Sequence, residues 1–266
     1  MITPALRRAY RGAAGIVALF GAAQLSVWAS GTGPATFPLP SAVLSSTATL
    51  ARNGMFLASV GATMAIWAEA LAITVVVAVA VGLLLGSLPW VESALLPVIE
   101  FLRPFPAVVL IPLVLLIVQD DGRTQLVIIV YASVWPVLIN TVYGVRNIDP
   151  LATETLRSFG FGPVSIARRV VLPSAAPFIA TGVRIAASFA FVVAIAIEVV
   201  GTGMDGIGAF TGQQESGTGD MTVLIAVAVW SGLIGLALNA VFVAAEHRLF
   251  RWHYALTLAA DAGAQP

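Results

Sequence analysis

Cysteine is absent from all 266 residues, which excludes disulfides, thiolate metal sites and thiol nucleophiles together. Lysine is absent too, and with it the phosphate-binding loop G-x-x-x-x-G-K-[ST], whose lysine must reach the β- and γ-phosphates. If ATP energises this protein, another chain hydrolyses it. Only two histidines occur, His247 and His253, and their spacing puts them on different faces of a helix, a poor start for a metal site. Charged residues make up 10% of the chain and cancel to a net charge of zero, so charge alone implies no nucleic-acid partner.

What fills the chain instead is apolar. Hydrophobic residues reach 59% and the mean hydropathy is +0.98, more than a soluble domain carries without exposing sticky surface, so a lipid bilayer is the expected environment. At roughly 20 apolar residues per crossing the length leaves room for about six spans. They are expected over 12–30, Ala62–Leu88, Leu95–Val118, Gln125–Val145, Ala175–Val200 and Met221–Ala245. Arg7, Arg8 and Arg11 precede the first, the arrangement that holds an N-terminus in the cytoplasm. A cleaved signal peptide is the rival there, with Val27 and Ala29 before a potential cut at Ser30, but the later spans favour an uncleaved helix.

Between the spans, 31–55 is rich in Gly, Pro, Ser and Thr and reads as an external loop, with a short surface helix around Ser41–Arg52. Glu69 is placed two turns from the outer end of the second span, where snorkelling explains it as well as function does. The third span carries Glu100, Arg103, Pro104, Pro106 and Pro112. Prolines remove backbone donors, so a kinked or discontinuous helix is expected, facing protein or water rather than lipid. Asp120 and Asp121 mark an external turn, and 201–220, with its seven glycines, an external loop.

Arginine gives the orientation. With the N-terminus inside, Arg7, Arg8, Arg11, Arg146, Arg157, Arg168, Arg169, Arg248 and Arg251 fall on the cytoplasmic side and only Arg52 and Arg123 outside. The expected fold is an all-α membrane protein of six transmembrane helices with both termini cytoplasmic. It divides into a first helix and external loop at 1–54, a core at 55–246 and a tail at 247–266.

The inside loop at about 146–173 is too patterned for a connector. Asp149-Pro150 is a helix start, Glu154 sits early in that helix, and Leu156, Phe159 and Phe161 alternate with arginines before Gly160, Gly162 and Pro163 break it. Glu154-Thr155-Leu156, Gly160, Val170 and Leu172-Pro173 match the spacing of a signature that reads E-A-A, three residues, G, nine residues, I, one residue, L-P. In this the chain resembles the permease subunits of binding-protein-dependent ATP-binding-cassette importers. It departs at Thr155 and Leu156 for the alanines and at Val170 for isoleucine. Leu102-Arg103-Pro104-Phe105-Pro106, Asn140-Thr141, Gly144-Val145-Arg146 and Gly182-Val183-Arg184 are similar to the branch that imports taurine, alkanesulfonates, nitrate and related small anions.

The resemblance, which covers roughly 55–245, implies the type I importer fold and a bacterial inner-membrane location. It implies a second permease copy, a cytoplasmic ATPase dimer that holds the ATP and magnesium, and an external substrate-binding protein. This chain would carry no cofactor and catalyse nothing. Its loop would insert into the ATPase as a coupling helix, with Glu154, Arg157, Phe159, Gly160, Leu172 and Pro173 as docking residues. Arg103, Glu100 and Glu198 are the candidates for the substrate path. The blander readings are an intrahelical Glu100–Arg103 pair near the cytoplasmic interface and ordinary interfacial placement of Glu198. Asn140 and Arg184 are expected to brace the bundle. An ion-driven secondary transporter is the alternative, but it needs ionisable residues deep in its spans, and here the acids sit mostly at span ends.

Overall fold

In a computed structural model that describes residues 14, 15, 18, 20–29, 38–201, 205–217 and 219–250, every regular element is helical. The long elements are α2 (Gly54–Ser87), α5 (Asp121–Arg146), α8 (Leu172–Val200) and α10 (Met221–Leu249). Shorter ones are α1 (Pro40–Leu50), α3 (Pro89–Leu102), α4 (Ile111–Val118) after a 3-10 turn at Ala107–Leu110, α6 (Pro150–Ser158), α7 (Pro163–Ile166) and α9 (Ile207–Gly217). A π-helical turn at Ala167–Val171 joins α7 to α8 without a break, so the apolar run extends from Pro163 to Val200. Residues 1–13 and 251–266, most of the expected tail, lie outside the described residues, as does part of the first expected span, of which 20–29 are helical, while 247–249 belong to α10.

Helix starts follow from side chains that accept otherwise orphaned backbone N–H groups. Asn53 accepts from Phe56, Asp120 from Arg123, Asp149 from Leu151 and Asp220 from Thr222. The Asn53 cap starts α2 eight residues before the expected Ala62, because Phe56 is fully buried against Phe210 and Trp230. That moves Glu69 to about four turns inside the helix, and it is exposed on the protomer surface there rather than close to the outer end. A second correction concerns 201–220: the glycine-rich stretch contains α9, whose Ile207 and Phe210 are buried.

α2 and α5 run side by side in the same direction. Thr74 and Ser133 share a 2.8 Å hydrogen bond at an offset of 59 residues. The same offset brings Gly82 against Thr141 and Gly86 against Val145, so closely that a Cβ on either glycine would sit 2.6–2.7 Å from its neighbour. α8 runs the opposite way, with Gly182 against the Pro136 carbonyl and Val137 and Gly144 against Ala175 and Phe178. Lipid supplies no hydrophobic drive between helices, so close contact at small residues holds such pairs together. α10 runs with α2, as the Phe56–Trp230 and Trp67–Phe242 ring contacts show.

Parallel neighbours impose a crossing between them. α2 ends level with Val145, whereas α5 begins at the far end, so the intervening chain must return across the bilayer. It does so as α3 and the Ala107–Val118 segment, bent by 86° at the proline-rich break. Four helices among the described residues are long and apolar enough to cross a membrane, five with this bent pair as one span, and the third expected span is discontinuous as its prolines require. Many large apolar side chains, Val76, Leu116, Ile117 and Leu236 among them, face outward, as suits lipid or a second chain.

Gly182→Leu should lower the thermal midpoint of the purified protein in detergent, by about 1–3 kcal/mol of overpacking, while Gly61→Leu, where a side chain meets open space, leaves it unchanged. Equal melting of the two variants would mean that the α5–α8 contact does not limit stability.

Candidate functional site

Three places in the fold gather the polar residues of an otherwise apolar chain. The first is the loop between α5 and α8. Asp149 caps α6 at its start, and Gly160, at φ +80°, ends it. The Phe161 N–H donates to the Leu156 carbonyl and the Gly160 N–H to the Arg157 carbonyl, the paired bonds of a Schellman turn, whose left-handed position glycine occupies without a Cβ penalty. Arg169 stacks over the Phe161 ring at 5.0 Å and ties the turn to the start of the α8 run. The result is a short capped helix that holds Leu151 and Phe159 out, with Val164 on α7 beside it; the last two are 77% and 80% exposed. Glu154 and Arg157 lie on α6, while Leu172 and Pro173 open α8.

The second place is the break at Arg103. One cavity, of about 280 Å³, is lined by residues that include Glu92, Glu100, Arg103, Tyr143 and Arg146. Another, of about 300 Å³, is lined by Arg103, Trp135, Pro136, Asn140 and Phe189 among others. Arg103 is common to both. The described residues form two ion pairs, Glu92–Arg146 and Glu246–Arg184, and Arg103 belongs to neither. The expected Glu100–Arg103 pair is therefore not made, although both residues line the first cavity. The Glu246–Arg184 pair, with Thr181 donating to Glu246 at 2.7 Å, braces α10 against α8.

The third place is Glu198, which is 1% exposed and lines neither cavity. Its carboxylate accepts from Thr63 Oγ1 on α2 at 2.9–3.0 Å, from Gln125 Nε2 on α5 at 3.0 Å and from the Gly208 N–H on α9 at 3.0 Å. Thr63 Oγ1 in turn accepts from the Ile207 N–H at 2.9 Å. One carboxylate thus joins four helices. Gly206, at φ +143°, passes so close that a Cβ would fall 2.2 Å from Glu198 Cδ. Thr63 and Gln125 carried no sequence signal that joins them, since each is a polar residue at the edge of an apolar run and far from Glu198 in the chain.

A broken, parallel-paired helix bundle with a capped external knob narrows the family. Residues 75–251, well over half the chain, match the family model of the binding-protein-dependent transport system inner membrane component. The chain belongs to that family. It is a multi-pass membrane protein of the ATP-binding-cassette permease type, located in the inner membrane.

Relatives of this permease include the bicarbonate transport system permease protein CmpB of Synechocystis sp., 32% identical over 65% of this chain and 61% of the relative. The nitrate import permease protein NrtB of Leptolyngbya laminosa is 31% identical over 61% and 57%. A probable ABC transporter permease protein of Brucella melitensis is 28% identical over 83% and 89%. The match therefore spans about three fifths of the length of the bicarbonate and nitrate permeases. Among solved structures, a chain of the MetNI methionine ABC transporter superposes with a TM-score of 0.62 at 19% identity, covering 73% of this permease and 95% of that chain, which shows a shared fold.

Glu198→Ala should strand the Thr63, Gln125 and Gly208 donors, at a cost of about 1–3 kcal/mol for each one left unsatisfied. Hydrogen exchange over 207–217 should then speed up at least about tenfold relative to 221–249. Unchanged protection of 207–217 would show that apolar packing of Ile207 and Phe210 suffices to hold α9.

Proposed function

We propose that this chain is the membrane-spanning subunit of an ATP-driven importer for a small oxoanion and that it couples to a separate ATPase through the loop from Glu154 to Pro173. The observation that carries this reading is the capped helix α6, which presents Phe159 and Leu151 to the outside between the two most closely packed spans. A partner that grips this knob pushes directly on α5, through Arg146, and on α8, through the continuous π turn. The shared fold with the methionine transporter chain and the bicarbonate and nitrate names of the relatives support the importer class and the charge of the cargo.

In this reading the arginine-rich end faces the cytoplasm, ATP and magnesium sit on a partner ATPase dimer, an external binding protein delivers the solute, and two permease copies enclose the path. Arg103 and Glu100 line that path beside the helix break. Glu198 serves it from the other end by clamping α9 across the tops of α2, α5 and α8.

Copurification of the tagged permease with its neighbouring ATPase tests the coupling. Phe159→Asp puts a charge where an apolar contact is expected, and Gly160→Val strains the left-handed turn by about 1–2 kcal/mol. Each should weaken ATPase association about tenfold or more and leave the permease's own melting within a few degrees. If no ATPase associates with the wild type and uptake instead follows an ion gradient, the importer reading fails.

A further inference from the structure

We propose that Glu92 and Arg146 are a positioning pair that links the loop between α5 and α8 to the broken span, so that what grips α6 also moves α3. This deepens the importer reading above and rests on it for the partner that grips the loop. Arg146 is the last residue of α5, and only Asn147, Ile148 and Asp149 separate it from α6. That joint is braced: Asn147 donates its N–H and its side-chain amide to the Tyr143 carbonyl, at 3.1 and 2.9 Å, and Asp149 caps α6. On the other side of the ion pair, Glu92 lies in the first turn of α3.

Helix α3 has little else to hold it. None of its residues is buried, and Val91 and Ile99 pack, half-buried, against the core shared by α2, α5 and α8. Between α3 and α5 lies the cavity of about 280 Å³, walled by Leu96, Ile99 and Glu100 from α3 and by Leu138, Val142 and Tyr143 from α5. Polar contacts pin the helix at both ends of this gap. At the bend, the Tyr131 hydroxyl donates to the Leu102 carbonyl at 2.6 Å. In an unbroken helix that carbonyl would accept from residue 106, but Pro106 has no N–H to give. At the start, Glu92 meets Arg146.

The two partners of the pair are unequally placed. Arg146 is 50% exposed and can turn to water, whereas the Glu92 side chain is 13% exposed. Withdrawing the arginine alone would leave a mostly buried carboxylate unpaired at a cavity that Glu100 also lines, a costly state. The other cation of this cavity, Arg103, lies roughly 16 Å further along the helix at 1.5 Å per residue, too far to take over. The start of α3 therefore follows Arg146, and a displacement of α6 reaches the break at 103–106 through α3.

Hydrogen exchange over Pro89–Leu102, in the full-length chain in phosphatidylcholine nanodiscs, reads the link. In the permease alone, Glu92→Gln and Arg146→Gln should each speed exchange there about three- to tenfold, and the reversed pair, Glu92→Arg with Arg146→Glu, should bring it back to within about twofold of the wild type. With the copurified ATPase, adding magnesium, ATP and vanadate should change the exchange of this segment in the wild type and the reversed pair and leave it unchanged in the two single variants, while every variant retains the ATPase. Single variants that exchange like the wild type would overturn the link, as would a reversed pair that stays fast, a wild type without a nucleotide response, or a response that survives in the single variants. Loss of the ATPase from the single variants would assign the pair to docking and overturn it too. If the wild type binds no ATPase, the importer reading falls, and Asp149→Ala, which uncaps α6, replaces the nucleotide as the disturbance at the loop. Its effect should then reach Pro89–Leu102 through the intact pair and not beside Glu92→Gln; an equal effect in both backgrounds, or none in either, overturns the link.

Discussion

The parallel packing of α2 and α5, held in one register by a Thr74–Ser133 hydrogen bond and the Gly82–Thr141 and Gly86–Val145 contacts, is the constraint from which the rest of the bundle follows. Two parallel helices in a membrane need a third crossing between them. That crossing has to fit beside α5 without displacing α8, which packs its Gly182 and Ala175 against the Val137 and Gly144 face of α5. The chain meets this demand with α3 and α4, bent by 86° where Pro104 and Pro106 deny the helix its donors. Arg103 sits at this bend, where it lines a cavity on either side.

Glu198 and Arg103 are placed in opposite ways. Glu198 is withdrawn from every surface, and its carboxylate gathers donors from α2, α5 and α9, so the charge or dipole it carries is spent on holding the fold. Arg103 is exposed and belongs to neither ion pair among the described residues.

The loop between α5 and α8 is braced at the rim of the bundle. Helix α6 is closed at one end by Asp149 and at the other by the Gly160 turn, and Arg169 over Phe161 fixes its angle to the α8 run. The Arg184–Glu246 pair extends the same rigid unit to α10.

Much of this was legible in one dimension. Apolar runs of membrane length, prolines clustered in the third, arginines on one side and the spacing from Glu154 through Gly160 to Leu172-Pro173 are local patterns, and local patterns determine which segments are helices and where they break. The start of α2 at Gly54, the helix hidden in the glycine-rich 207–217 stretch and the interior position of Glu69 were not, because Phe56, Ile207 and Phe210 earn their places only by burying against one another across 150 residues of chain. The sequence by itself determined the solvent, the number of apolar runs and the rim of the molecule. Only the tertiary structure decided which donors are satisfied, since whether Thr63 meets Glu198 or Trp135 meets nothing depends on helices far apart in the chain and adjacent in space.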